Sequence, residues 1–198
     1  DQELAYLSRT PVLTVHNEDD WAPVNFNEKG IPKGFSIDYM LLLAEKIGVE
    51  IQFLNYPLWH EFLSMMKTSG LDVMMNIVKT PKRETYLAFT PSYMQIEPLL
   101  CVRKNESPLD FRDDPSGIKL IVLKGFPAEN ISKRNPRIEF SISDNTTDAL
   151  YAVSRGNADG YVCAKEIISY QIDRLRISNL TTQAIPEGFE IGPIQLHI

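Results

Sequence analysis

The chain has 198 residues, of which 43% are hydrophobic and 23% are charged, as in an ordinary globular protein. Its net charge of −6 disfavours binding to a nucleic-acid backbone, which needs clustered positive charge. No apolar run approaches the roughly 20 residues of a membrane-spanning helix. The length fits one large domain or two small ones.

The first half of the chain predicts alternating strands and helices. Short β-branched runs indicate strands, and apolar residues at helical spacing indicate helices. The region between the first strand and the first helix, with two prolines and two glycines, is predicted to be a loop. This order is typical of an α/β unit with a mainly parallel sheet. The predicted elements are a strand at 12–16, a helix at 37–47 ended by Gly48, a strand at 49–54, a helix from Trp59 to near Gly70, and a strand opening at 72–75.

The second half repeats this organisation. In both halves a helix end is followed by a glycine and then by an aspartate just before a strand, at Asp72 and at Asp159. The match indicates two similarly wound lobes, although any turn between a helix and a strand favours glycine and aspartate. The predicted strands lie at 120–123, 138–141 and 158–163, and the predicted helices at 127–133, 148–155 and 166–174.

Common catalytic signatures are missing from the sequence. It has no glycine-rich nucleotide motif and no GxSxG motif. The three histidines lie far apart, without Cys or His at metal-binding spacing, so neither a metal nor a cofactor is predicted. Cys101 and Cys163 are interpreted as free, partly buried thiols.

The segment from Lys79 to Glu84 predicts an anion site. Thr80 before Pro81 is typical of a helix N-cap followed by a proline in the first turn. Lys79 and Arg83 then place cations at the helix N-terminus, the unfavourable end for positive charge unless an anion is held there. Arg83 can bind a carboxylate through two hydrogen bonds. The alternative is a structural arginine paired with an acid such as Glu84.

Two further features suggest ligand contacts. The segment Lys124–Pro127 joins a strand to a helix and is either a second anion site or an ordinary turn. Trp21 and Trp59 both follow predicted strand ends, where ligands bind in open α/β sheets, although a tryptophan is more often part of a core.

The sequence contains five characteristic segments: 20–23 (DWAP), 34–38 (GFSID), 70–76 (GLDVMMN), 80–83 (TPKR) and 89–93 (FTPSY). They resemble the bacterial extracellular solute-binding proteins of family 3, which have the two-lobed type II periplasmic-binding fold. The resemblance continues at 124–126 and 156–159 and covers essentially the whole chain. A finer likeness is to the sensor domains of histidine kinases and diguanylate cyclases.

The resemblance implies an α/β domain of two lobes with a ligand cleft between them. Lobe 1 would comprise residues 1–98 with a return segment at 194–198, and lobe 2 residues 99–193. The fold normally closes with further helices after the last strand, so the sequence is expected to be truncated. The exposed sheet edge that this leaves would favour a homodimer.

Site residues are implied position by position. Trp21 matches an aromatic residue that lies over the ligand, and Trp59 an apolar residue packed against it. Asn76 and Ile77 match positions at the amino end of amino-acid ligands. Arg83 matches the arginine that holds the α-carboxylate.

Lobe 2 departs from the amino-acid-binding pattern. Phe126 and Pro127 stand where amino-acid binders have a threonine, and they offer no hydroxyl. Ala164 stands where an acid would pair with the α-amino group, and an unpaired buried ammonium costs several kcal/mol. A carboxylate without an amine, or an aromatic acid, therefore fits better.

The implied function is ligand sensing on the periplasmic side of the bacterial inner membrane. Closure of the lobes would signal through membrane and cytoplasmic regions of the same protein to a kinase or a cyclase. The alternatives are a solute-binding receptor of an ABC transporter, a ligand-free domain that responds through its partners, and a cyclic-acid dehydratase. The dehydratase needs a cleft acid, for which Glu166 is the nearest residue.

Overall fold

The computed structural model describes residues 5, 7, 9–55, 57–124, 128–191 and 194–198. The chain forms two compact units: unit 1 is Asp1–Tyr93 with Leu196–Ile198, and unit 2 is Met94–Gln195. The chain therefore passes from one unit to the other twice. Among the described residues, no helix is both long and apolar enough to cross a membrane.

Unit 1 is built from short strands and helices in the predicted α/β order. Its strands are β1 (Val12–His16), β2 (Asp20–Trp21), β3 (Asn25–Glu28), β4 (Ile31–Lys33), β5 (Glu50–Leu54) and β6 (Ile77–Val78), and its helices are α1 (Phe35–Ile47), α2 (Trp59–Lys67) and α3 (Pro81–Glu84).

The core of unit 1 lies on both sides of the parallel pair β1 and β5. On one side, α1 buries Ile37 and Met40 against Val15 of β1. The helix ends at Gly48, which adopts the left-handed conformation that the predicted stop requires. On the other side, α2 buries Phe62 in a second apolar cluster. The predicted helices and the strands at 12–16 and 49–54 are confirmed.

Two predictions for unit 1 are wrong. Residues 72–75 form no strand, because only Val73 bridges β1 before the chain turns at Asn76, whose φ is +60°. The predicted loop between β1 and α1 is instead an antiparallel sheet in the order β2-β3-β4. Its strands are two to four residues long, too short for a clear alternating pattern.

Unit 2 contains one five-stranded sheet. Its elements are β7 (Met94–Ile96), β8 (Pro98–Arg103), β9 (Lys119–Leu123), α4 (Ala128–Arg134), β10 (Glu139–Ser143), α5 (Thr146–Ser154), β11 (Gly160–Ala164), α6 (Lys165–Leu175) and β12 (Leu180–Ala184), followed by β13 (Ile194–His197), which runs into unit 1.

The sheet of unit 2 has the strand order β10-β9-β11-β8-β12. The first three strands are parallel, whereas β8 is antiparallel to both of its neighbours. All predicted elements of the second half are present, with ends shifted by at most two residues. The sequence analysis did not predict β8 and β12. Because β8 is antiparallel to its neighbours, the sheet is mixed and not mainly parallel as expected. Leu100 and Val102 of β8 belong to its core.

Candidate functional site

Arg83 lies at a helix start formed as the sequence predicts. Thr80 is the N-cap of α3, and its hydroxyl accepts a hydrogen bond from the Arg83 backbone N–H at 3.2 Å. Pro81 occupies the first helical turn. The Arg83 side chain is only 8% exposed, and its guanidinium donates to the Val78 carbonyl at 2.7 Å. Burial lowers the pKa of Arg83, so an anion that reached this guanidinium would offset its desolvation.

The other charged side chains of this segment lie at the surface. Lys79 Nζ is 2.9 Å from Glu84 Oε1, so Glu84 pairs with Lys79. The same ammonium lies 5.9 Å from the centre of the Phe89 ring. Lys82 is exposed. Of the three cations, Arg83 alone is buried.

Asn76 is buried, and its side chain is fully hydrogen-bonded within unit 1. Its oxygen accepts from the Asn25 amide at 3.2 Å. Its nitrogen donates to the Ser36 hydroxyl at 2.7 Å and to the Tyr93 hydroxyl at 3.0 Å. Both amide hydrogens of Asn76 therefore already have acceptors within unit 1. Ile77, the next residue, is buried in β6.

A polar network extends from Asn76 to the end of β1. Asn25 accepts from Asn17 at 2.8 Å and from the Glu18 backbone N–H at 3.1 Å. His16 is fully buried, and its Nδ1 accepts from the Met75 backbone N–H at 3.0 Å. The network therefore joins β1, β3 and the segment that leads to Arg83.

The two tryptophans lie beside this network. Trp21 is buried in β2, opposite Asn25 of β3. Trp59 begins α2, and its ring centre is 5.5 Å from that of His16. The Trp59 Nε1 is buried and has no hydrogen-bond partner within the described part of the chain. Leaving a buried donor without an acceptor costs about 1–3 kcal/mol, so a ligand oxygen that accepted a hydrogen bond from this N–H would recover that free energy.

The candidate residues of unit 2 have different surroundings. Ala164 is the last residue of β11 and the N-cap of α6, and it is buried. Lys124 Nζ is 3.2 Å from Asp144 Oδ1, so this lysine is paired. Phe126 and Pro127 lie outside the described residues. The interpretation of 124–127 as a second anion site stays a prediction.

The structure thus brings Asn76, Trp21 and Trp59 together around one polar network, with Arg83 seven residues further along the chain. Sequence reasoning missed His16, Asn25, Ser36 and Tyr93 as members. They are polar residues on four separate segments, with no spacing that links them. No cluster of three or more His, Cys, Asp and Glu suited to a metal occurs in the described ranges.

Comparison with known proteins identifies the family. The pattern of the bacterial extracellular solute-binding proteins, family 3, matches residues 13–178. The chain therefore belongs to this family, and its two α/β units are the two lobes of a periplasmic-binding-protein fold.

Two curated relatives are much longer than this chain. A membrane-bound lytic murein transglycosylase F of Pseudomonas savastanoi is 27% identical over 142 residues, which are 68% of this chain and 29% of the relative. The virulence sensor protein BvgS of Bordetella pertussis is 24% identical over 163 residues, which are 79% of this chain and 13% of BvgS. The chain thus spans less than a third of either.

Solved structures show the same fold at low sequence identity. A double mutant of the VFT2 domain of Bordetella pertussis BvgS superposes with a TM-score of 0.82 at 20% identity, covering 99% of this chain and 83% of that one. The ancestral amino acid-binding protein AncCDT-1, a precursor of cyclohexadienyl dehydratase, gives a TM-score of 0.79 at 23% identity, covering 99% and 84%.

Proposed function

We propose that this chain is an extracytoplasmic domain that binds a small carboxylate and reports its presence to the rest of a larger protein. The observation that carries the proposal is the buried Arg83 guanidinium in a solute-binding family member. A guanidinium is planar and always charged, and it matches a carboxylate through two parallel hydrogen bonds.

The ligand that we propose has no α-amino group. In amino-acid binders, the resemblance implies an acid at the position of Ala164, which here is a buried methyl group at the end of β11. Without that acid, the ammonium of a bound amino acid would lose its hydration, and no ion pair would compensate for the loss. Trp21 and Trp59 favour an aromatic group on the acid, since flat rings pack on indoles with large apolar contact.

One of the relatives supports a sensing role. BvgS is a sensor protein, and the chain resembles it over most of its own length. The dehydratase alternative requires an acid in the site. Glu166 lies in the first turn of α6 and is exposed, where a carboxylate stabilises the helix dipole. We therefore propose binding without turnover, on the periplasmic side of the inner membrane, with membrane and cytoplasmic regions as partners.

The experiment that tests this proposal compares two ligands with one skeleton. 3-Phenylpropanoate and L-phenylalanine differ only in the α-amino group. We expect 3-phenylpropanoate to raise the melting temperature and to bind in calorimetry, because a ligand that binds only the folded state stabilises it. L-Phenylalanine is expected to bind at least tenfold more weakly, about 1.4 kcal/mol.

Three outcomes would count against the proposal. Tighter binding of L-phenylalanine would mean that the ammonium has a partner and that the ligand is an amino acid. No stabilisation by any acid in a wider panel of aromatic and aliphatic carboxylates would remove the sensing function. Consumption of a cyclic acid by the wild-type chain would favour the enzyme.

A further inference from the structure

His16 is the last residue of β1, and its side chain is fully buried among aromatic rings. The centre of its ring lies 5.5 Å from that of Trp59 and 5.2 Å from that of Phe62, and both contacts are edge-on. A phenylalanine or leucine would fill this space without requiring hydrogen bonds, whereas a buried imidazole needs partners for its two nitrogens. The polar contacts of the ring therefore explain why a histidine stands here.

The contacts of the two ring nitrogens define the tautomer. Nδ1 accepts a hydrogen bond from the Met75 backbone N–H at 3.0 Å. Nε2 lies 3.6 Å from Glu18 Oε1 and 3.5 Å from the Asn25 amide nitrogen, which donates to Asn76. A neutral imidazole carries one N–H, so both nitrogens cannot be acceptors. The shorter contact, to Met75, makes Nδ1 the acceptor and places the hydrogen on Nε2, facing the Glu18 carboxylate.

The residue that His16 holds begins the segment that leads to Arg83. Asn76 follows Met75 with a φ of +60°, a left-handed conformation that costs free energy in a residue other than glycine. Ile77 and Val78 then form β6. The Val78 carbonyl accepts from the Arg83 guanidinium at 2.7 Å. Residues 75–78 thus run without interruption from the His16 contact to the Arg83 contact.

We propose that His16 is a positioning residue of the carboxylate site. Its Nδ1 fixes the Met75 backbone, and the fixed segment 75–78 then orients the Arg83 guanidinium through the Val78 carbonyl. His16 acts without touching the ligand. The inference rests on the function proposed above, because its effect on the ligand is exerted through Arg83.

Two substitutions separate the acceptor from the ring. His16→Asn retains an acceptor for the Met75 N–H, since the asparagine Oδ1 is attached to Cγ as Nδ1 is, but it removes the ring. His16→Phe retains a ring against Trp59 and Phe62 but offers no acceptor. Both variants should have a lower melting temperature, the first because it leaves a cavity and the second because it leaves a buried N–H unpaired.

The affinity for 3-phenylpropanoate should distinguish the two variants, although both are destabilised. In calorimetry we expect His16→Phe to bind at least about fivefold more weakly than the wild-type chain, and His16→Asn to bind within about twofold of it. Circular dichroism establishes that each variant is folded. Rescue by asparagine is the result that a purely structural role does not produce, because the cavity-forming variant would then bind no better than the other.

Two calorimetric outcomes would overturn the inference. If His16→Asn binds as weakly as His16→Phe, the ring and not the acceptor matters to the ligand. If both variants bind within about twofold of the wild-type chain, the contact has no influence on Arg83. Failure of the proposed function is distinguishable from these outcomes, since in that case the wild-type chain itself binds no carboxylate and this inference falls with it.

Nuclear magnetic resonance tests the contact without relying on the variants alone. The chain has three histidines, and the ring signals of His16 are those missing from His16→Asn. At neutral pH, nitrogen-15 spectra of the wild-type chain should show a hydrogen on Nε2 and none on Nδ1. Exchange of the Met75 amide hydrogen should be at least about fivefold faster in His16→Phe than in His16→Asn. A hydrogen on Nδ1, or equal exchange in the two variants, would refute the proposal.

Discussion

Asp72 and Asp159 make the same contact in the two units. Asp72 accepts a hydrogen bond from the Thr14 backbone N–H at 2.8 Å, and Asp159 accepts one from the Lys119 backbone N–H at 2.8 Å. Each aspartate also donates its own backbone N–H to the carbonyl of the same partner residue. The repeated glycine and aspartate of the sequence thus correspond to one repeated contact, which holds the chain against β1 in unit 1 and against β9 in unit 2.

This equivalence predicts similar losses of stability for two substitutions. Asp72→Asn and Asp159→Asn replace a charged acceptor by a neutral one, so each should lower the free energy of unfolding by about 1–2 kcal/mol. The measurement is chemical denaturation. Asp113→Asn, at an exposed position, is the control and should change stability by less than about 0.5 kcal/mol. Losses no larger than that of the control would show that the contact has no energetic role.

A second prediction concerns the Tyr93 hydroxyl. It bonds Ser36 and Asn76, so Tyr93→Phe leaves a buried amide hydrogen of Asn76 without its acceptor. We expect a loss of about 1–3 kcal/mol. Tyr39→Phe is the matched control, since Tyr39 lies in the same aromatic stack, 5.1 Å from Tyr93. If both variants unfold at the same denaturant concentration, the network does not stabilise unit 1.

The sequence predicted what depends on local pattern and missed what depends on distant contacts. The strand at 12–16 and the helix ended by Gly48 follow from periodicity and a cap. β8 was missed because its two antiparallel partners lie about 60 and 80 residues away. The N-cap at Thr80 could be predicted from two residues. That Arg83 is buried while Lys79 pairs with Glu84 depends on tertiary packing.

A third prediction separates guanidinium geometry from positive charge. Arg83→Lys retains the charge but loses the planar pair of donors, so affinity for 3-phenylpropanoate should fall at least tenfold, about 1.4 kcal/mol. Lys82→Gln removes a charge from the adjacent, exposed residue and should alter affinity less than twofold. Calorimetry measures both. Equal effects of the two substitutions would mean that the anion responds to net charge and that Arg83 does not bind it.

A fourth prediction concerns alkaline stability. Burial raises the pKa of the Cys101 thiol from 9.0 to about 12, with a smaller contribution from Cys163. Below pH 9 the thiol is protonated in both states. Between pH 9 and 12 it ionises only in the unfolded chain, so stability should fall by at most about 1.4 kcal/mol per pH unit. Cys101→Ala removes this group, and its unfolding free energy should depend less steeply on pH. An unchanged slope would assign the alkaline loss to other groups.

The last prediction restores the missing acid. Ala164 is the N-cap of α6, with backbone angles in the extended region that an aspartate adopts readily at this position. If the site rejects amino acids for want of a carboxylate, Ala164→Asp should strengthen binding of L-phenylalanine about tenfold, or 1.4 kcal/mol. The same variant should weaken binding of 3-phenylpropanoate, because two carboxylates would then repel each other. Ala164→Asn is the control, since it has the same shape without the charge. A gain for both ligands, or the same gain with asparagine, would mean that the substitution acts through capping of α6 and that Ala164 does not select against the amine.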